Sequence, residues 1–241
     1  MEYIDEIGMI SPEGRPLGIK TALTTFSRHL FDELVSRTGA KRLCTLAGAI
    51  EVELYTFTEH GSTYGVYMSP VGAPAAVCAL EQVGACGVER FVAFGICGAL
   101  TDVSVRSIVV PTRSLRDEGT SKSYAAPSEF IELENAEYVR TKLTSYGIDC
   151  AVGGCWTTDA FYRETRSAVD NAVARGCIAV DMESAALQAA CDYRGKEFYT
   201  FFITADSLAG DKWEPNYILD PTATDAESAI VAAAVRLAEE F

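Results

Sequence analysis

Ile178-Ala179-Val180-Asp181-Met182-Glu183-Ser184-Ala185-Ala186-Leu187 changes character half-way along. It starts apolar and β-branched, as a buried strand does. It then passes into helix formers that continue through Gln188-Ala189-Ala190. Two carboxylates and a thioether stand at the changeover, where an open α/β sheet presents ligand-binding groups beyond its strand ends. Asp181 has two open readings: a cap for the first N–H groups of the helix, or a pocket group. Capping accounts for one acid. Glu183 is left able to accept hydrogen bonds from a pair of hydroxyls, the chemistry of a sugar site.

Outward from this stretch, strands and helices alternate. Thr21 to Phe26 reads as a strand and Arg28 to Ser36 as a helix ending near Gly39. Leu43 to Phe57 is β-rich, and His60-Gly61-Ser62 turns the chain back into Thr63 to Met68 as a hairpin. Pro70-Val71-Gly72-Ala73-Pro74 opens an Ala-rich helix running to Gly84, with Pro74 suited to its first turn. Arg90 to Phe94 is a continuous apolar strand, as in a sheet covered on both faces. Gly95-Ile96-Cys97-Gly98-Ala99 after it reads as a tight turn needing glycine freedom, or as backbone able to approach an anion. Val105 to Val110 is a strand that Pro111 ends, and residues 113–130 form a polar loop long enough for a lid. Ala136 to Tyr146 is helical, Asp149 to Gly153 extended, and Thr157 to Tyr162 a polar turn. Phe198 to Thr204 is a strand running into Ala205-Asp206-Ser207, and Ala223 to Glu240 a closing helix. The pattern describes an arm over residues 1–19 and one α/β domain over 20–241, a mixed sheet between helices in a three-layer fold.

Composition narrows the task. The 241 residues are 49% hydrophobic and 22% charged, enough for one large core. A net charge of −14 argues against nucleic acid as a partner, because neutralising phosphates requires Lys and Arg. No apolar run is long enough to span a bilayer, so no membrane role is expected. Met1-Glu2-Tyr3-Ile4-Asp5-Glu6 lacks the basic-then-apolar layout of a signal peptide. Eight cysteines without a C-x-x-C pair, and only two histidines, give no metal pattern. Buried free thiols of a cytoplasmic protein fit that usage.

Three further groups carry chemistry. Ser27-Arg28-His29 places a hydroxyl and two basic side chains after the first strand, as an anion site or as a solvated helix start. Phe161-Tyr162 beside Asp159 suits stacking on a base or sugar ring, and equally an anchor in the core. Asp206, behind the apolar Phe201-Phe202-Ile203, is placed for partial desolvation and proton transfer, or for capping the next loop.

Together these residues resemble the nucleoside phosphorylase family that includes uridine phosphorylase, hexameric bacterial purine nucleoside phosphorylase and methylthioadenosine nucleosidase. The resemblance spans roughly residues 63–210. It is strongest in Val180-Asp181-Met182-Glu183-Ser184-Ala185, similar to that family's V-E-M-E-[SA]-A ribose stretch. Thr158-Asp159-Ala160-Phe161-Tyr162, Gly95-Ile96-Cys97-Gly98-Ala99, Val71-Gly72-Ala73-Pro74, Ala205-Asp206 and Arg116-Asp117-Glu118-Gly119-Thr120-Ser121 add to it. The resemblance implies that Met182 and Glu183 hold ribose. Phe161, Tyr162, Asp181, Cys97 and Gly98 would form the base pocket, with Asp206 protonating a purine at N7. It implies phosphorolysis of a purine nucleoside without organic cofactor, inorganic phosphate being the co-substrate, in a homo-oligomer, dimer or hexamer. His60 or Arg42 would be donated to the neighbouring pocket.

Departures from the family keep other outcomes open. The Gly-Asp-Pro-x-Arg phosphate loop is replaced by Thr25-Phe26-Ser27-Arg28-His29, and Ala93 stands where an Arg is usual. Ile96 replaces the hydroxyl of the glycine turn. Phosphate would then rest on Arg28, Arg116 and Arg163 with Gly95 and Ile96, or water would be the nucleophile, as in a nucleosidase. Thr165 and the offset Arg166 lack the pattern with which uridine phosphorylases read a pyrimidine. A nucleoside sensor without turnover is the alternative outside catalysis.

Overall fold

In the computed structural model, which describes residues 6–216 and 224–241, ten strands form one mixed sheet with six α-helices around it. The first five residues of the expected arm, and Ala223 at the expected start of the last helix, lie outside the described residues. The chain runs β1 (Thr21–Thr25), α1 (Arg28–Thr38), β2 (Lys41–Ala47), β3 (Glu51–Glu59), β4 (Ser62–Met68), α2 (Ala73–Ala85) and β5 (Arg90–Ala99). It continues through β6 (Ile108–Asp117), β7 (Phe130–Glu132), α3 (Ala136–Ser145), β8 (Cys150–Thr158), α4 (Arg166–Ala174), β9 (Cys177–Asp181), α5 (Ser184–Arg194), β10 (Glu197–Ser207) and α6 (Thr224–Ala238).

The sheet has two parts. β5 pairs in parallel with β10, β10 antiparallel with β6, β6 in parallel with β8, β8 in parallel with β9, and β9 antiparallel with β5. Those five strands therefore close a ring. Cys97, Val109, Cys155, Ala179 and Phe202, one from each ring strand, pack into a small buried cluster. The other part, β1-β4-β3-β2, extends from β5 as an open wing. The large core lies between the sheet and its helices, and takes Phe91, Phe94, Phe198 and Phe201 from the paired β5 and β10.

Local chemistry explains the boundaries. Gly39 and Gly195 end α1 and α5 in the left-handed conformation, at φ 64° and 62°. Pro74 sits in the first turn of α2. Residues Ser184 to Cys191 of α5 are all buried, because the helix is covered on every side and its small alanines admit close neighbours.

Three expectations need correction. Gly95 to Gly98 is not a turn: β5 continues through it to Ala99, and neither glycine has a positive φ. Pro111 does not end β6. The pairing with β8 shifts register between Pro111 and Arg113, which accommodates the missing N–H, and the strand runs on to Asp117. Leu43 to Phe57 is β-rich as expected, in two antiparallel strands with a break over residues 48–50. Residues 113–130 are not an open loop. They contain the end of β6, a helical turn at Thr120–Ser123 and the start of β7. In addition α4, unforeseen, covers β9, and β8 extends to Thr158.

Arg116 organises that segment from within, and its role differs from the phosphate ligand expected of it. The side chain is buried, and its guanidinium donates to Ser121 Oγ and O, to the carbonyls of Ala125 and Ala126, and to Ser128 Oγ. All five N–H donors are thus committed to the chain itself. Beside it the Glu118 carboxylate accepts the Ser121 N–H at 2.9 Å, and Asp159 accepts the Gly119 N–H at 2.9 Å. Lysine has three donors and no planar fork. Arg116→Lys is expected to lower unfolding stability by about 3 kcal/mol, read as a lower denaturant midpoint. An unchanged midpoint would show that the clamp contributes nothing.

Candidate active site

The chain passes from β9 into α5 at Asp181, and that junction forms one wall of a cavity of about 470 Å³. The size is in the range of small-molecule sites. Asp181 accepts the Ser184 N–H at 2.7 Å and the Glu183 N–H at 3.2 Å on one oxygen, and the Thr157 hydroxyl at 2.7 Å on the other. It is therefore a cap of α5 as well as a cavity-lining residue. Burial pushes its carboxyl up, and these hydrogen bonds oppose the shift. Glu183, one residue before α5, is buried and turns into the cavity, where Oε1 accepts the Gly72 N–H at 2.6 Å. Gly72 has φ 95°, a conformation that suits glycine, and it starts α2. Loss of solvent and the nearby Asp181 charge push the Glu183 carboxyl up to about 8.

The opposite wall comes from β5 and β10. A Cβ on Gly98 would lie 2.9 Å from Val180 Cγ1, 3.1 Å from Leu208 Cδ1 and 3.2 Å from Asp206 Oδ1. The glycine is thus required by close approach. Asp206 is buried and lines the cavity, and its Oδ2 accepts the Trp213 indole N–H at 2.6 Å. Desolvation raises its carboxyl and the indole N–H opposes the rise. The Cys97 thiol, between Asp181 and Asp206, is held neutral by burial and by both acids. Phe161 lines the cavity and meets Trp213 edge-on, with centroids 6.3 Å apart. Glu164 lines it too, its carboxyl pushed up to about 7 by burial first and by Asp206 second.

Asp206, Met182, Glu183, Phe161, Asp181, Cys97, Gly98 and Ile96 are therefore gathered at one cavity. Tyr162 is not among its lining residues. It is 94% exposed, because the helical turn Phe161–Arg163 aims successive side chains in different directions. The expected phosphate ligands are dispersed. Arg28 is exposed beside Asp32, Arg163 is exposed on the helical turn, and Arg116 serves the clamp. Gly95 is shielded by Phe26, whose ring would lie 3.0 Å from an added Cβ. Among the described residues the cavity lining has four carboxyl groups, Glu164, Asp181, Glu183 and Asp206, and no lysine, arginine or histidine.

The family follows from comparison. A model described as "Phosphorylase superfamily" matches residues 23–240. This chain belongs to the phosphorylase superfamily. A guanosine phosphorylase of Halorubrum lacusprofundi is 31% identical over 150 residues, 60% of this chain and 61% of that one. A DeoD-type purine nucleoside phosphorylase of Caldanaerobacter subterraneus is 28% identical over 165 residues, 64% of this chain and 70% of that one. The alignment thus spans about three fifths of the first relative's length. The fold matches uridine phosphorylase of Vibrio fischeri with a TM-score of 0.79 and 17% identity, over 98% of this chain and all of the other.

Two residues at this site are not foreseen from the sequence: Glu164, which lines the cavity, and Trp213, which stands behind the lining and touches Asp206 and Phe161. Glu164 directly follows the aromatic turn, and that adjacency was its only signal. Trp213 is one of two tryptophans and lies in a polar loop after β10, where nothing local separates it from a surface residue.

Two measurements test this geometry. Gly98→Ala is expected to lower stability by about 2 kcal/mol through overpacking and to impair turnover by moving Asp206. Carboxyls raised from an ordinary 4.5 to about 8 and 7, at Glu183 and Glu164, bind more protons in the folded than in the unfolded state. Their stabilising contribution is complete below the ordinary value and is lost as pH rises through 7 and 8. The melting temperature of Glu183→Gln should therefore gain on that of the unaltered protein between pH 5 and 9. A constant difference would contradict the raised value.

Proposed function

We propose that this enzyme cleaves the N-glycosidic bond of a purine nucleoside, passing the ribosyl group to phosphate. The observation that carries the proposal is the placement of buried Glu183 with Asp206 and Phe161 around one nucleoside-sized cavity. Glu183, with Oε1 held by the Gly72 N–H, has its other oxygen for the ribose hydroxyls, and Met182 packs beside the sugar. Phe161 offers a face to the base, with Cys97 and Gly98 beneath it and Asp206 at its edge to protonate the departing ring. Cleavage leaves positive charge at the ribosyl carbon. A buried carboxyl in its ionised form stabilises such a charge more strongly than water does, because it is fixed and poorly screened. No organic cofactor enters this scheme.

Purine is favoured over pyrimidine by Asp206 and by where the alternative readers point. Thr165 caps α4 by accepting the Ala168 N–H, and Arg166 binds Asp170 and the carbonyls of Leu208 and Gly210. One observation favours a second reading, hydrolysis. A cavity lined by four carboxyls and, among the described residues, no cation repels phosphate and admits water. In the phosphorolytic reading a neighbouring copy supplies the cation, with Arg42 of exposed β2 and His60 of the hairpin as donors. Val71, exposed at the cavity, and Tyr162 beside it leave room for such a neighbour in a dimer or hexamer. The site of action is the cytoplasm.

The test is base release, by chromatography, from inosine, adenosine, guanosine and uridine with and without phosphate. Phosphate-dependent release from the purine nucleosides, with ribose 1-phosphate as product, is expected. Free ribose regardless of phosphate would establish the hydrolytic reading. Tight binding without release would make the protein a sensor. Glu183→Gln should lower kcat/KM by at least about 100-fold, the loss expected for a group that holds the transition state. Unaltered activity in that variant would overturn the ribose assignment.

A further inference from the structure

Two carboxyl groups stand together at the Phe161 side of the cavity, and their surroundings differ. Asp206 receives the Trp213 indole N–H at 2.6 Å. Glu164 makes no side-chain hydrogen bond among the described residues, although it lines the same cavity. A donor aimed at one of two neighbouring carboxyls favours ionisation of that one and leaves a shared proton on the other. Trp213 itself is held in place. Its ring meets Phe161 at 88°, and its loop is tied to β10 by the reciprocal backbone bonds of Ser207 and Glu214.

We propose that Glu164 carries the proton that the departing base receives, with Asp206 as its ionised partner and Trp213 as the residue that fixes this division. The proposal rests on the nucleoside-cleaving reading and refines it, since the family likeness alone assigns the proton to Asp206. As the C1′–N bond breaks, its electron pair moves onto the base. The Glu164 O–H bond breaks and an N–H bond forms on the ring, while C1′ bonds to the oxygen nucleophile. Glu164 is left ionised and regains a proton from solvent after the products leave. Asp206 stays negative and stabilises the proton in transit.

The other titratable or charged groups around this pair are Cys97, Asp181 and Glu183 in the cavity and Arg166, Asp211 and Lys212 outside it. Cys97 faces Asp206 from β5 with its thiol held neutral. Arg166, Asp211 and Lys212 line a shallow hollow on the outer side of Glu164, where Arg166 is engaged with Asp170 and two carbonyls. Burial, with Asp206 as the second cause, is what moves the Glu164 carboxyl to about 7. Such a group is half protonated near neutrality, as a general acid requires.

The decisive comparison uses guanosine, whose base leaves with a proton from the protein, and 7-methylguanosine, whose base is already cationic and needs none. Glu164→Gln is expected to lower kcat on guanosine by about 100-fold, the usual worth of general-acid catalysis, and on 7-methylguanosine by less than about 5-fold. Turnover of the methylated substrate shows that the variant is folded. Trp213→Phe keeps the ring and removes the N–H, so Asp206 holds a proton more readily. The alkaline limb of kcat on guanosine should then move up by about one pH unit. Equal losses on the two substrates, or an alkaline limb unmoved in Trp213→Phe, would overturn the proposal. An unaltered protein inert on both nucleosides would remove the parent reading instead.

Discussion

The closeness of β5, β9 and β10 around Gly98 is the constraint on which the site depends. With hydrogen at that position, Val180 of β9 comes nearer than a side chain on β5 would permit, and Asp206 of β10 as near as one would allow only after a small shift: an added Cβ would lie 2.9 Å from Val180 Cγ1 and 3.2 Å from Asp206 Oδ1. The pairing of Val180 with Gly98 closes the five-stranded ring. Asp206 pairs with Gly98 from the other side, next to a register shift after Thr204. One small residue thus brings the acid-bearing end of β10 against the end of β9 that leads to Glu183. The ring fixes that geometry, since each of its strands is paired on both edges and none can slide alone.

Electrostatics then follows from burial. Four carboxyls share a cavity that, among the described residues, offers them no cation, so their proton affinities rise together. What separates the four is hydrogen bonding. Asp181 accepts two backbone N–H groups, the Thr157 hydroxyl and the Cys155 thiol and serves the helix; Asp206 accepts an indole; Glu183 accepts the Gly72 N–H; Glu164 accepts none among the described residues. Differences of this kind are how one cavity gives similar side chains different work. The chain belongs to the phosphorylase superfamily, and the distribution of donors separates the four carboxyls that line its cavity.

Arg116 shows the opposite use of charge. It has the exposed polar setting of an anion ligand when read along the chain, between acidic and hydroxyl residues. In the folded molecule its fork faces inward and closes a turn against Ser121, Ala125, Ala126 and Ser128. Arg28 and Arg163 remain at the surface, one paired with Asp32. An arginine's sequence neighbours do not say which way its fork points, because a long side chain reaches partners several residues away.

The strand-to-helix changeover at Asp181-Met182-Glu183 was legible in the sequence, because periodicity and helix propensity are local and the two acids interrupt an apolar run. So were the hairpin, the Pro74 helix start, the Gly39 helix end and the position of Asp206 behind Phe201-Phe202-Ile203. The residues from Gly95 to Gly98 read as a turn along the chain because glycine signals either backbone freedom or close approach, and only the neighbouring strands distinguish the two. Pro111 reads as a strand end because the register shift that accommodates it depends on the partner strand. Glu164 has only its place after the aromatic turn to mark it and Trp213 has nothing local: what defines them is Asp206, 42 and 7 residues away along the chain. The sequence by itself determined the layers and the acids at the strand ends, through local propensity and hydrophobic pattern. Which of those acids share a cavity, which has a donor and which basic side chains stay outside was decided by tertiary structure, because burial and hydrogen bonding exist only once distant strands are paired.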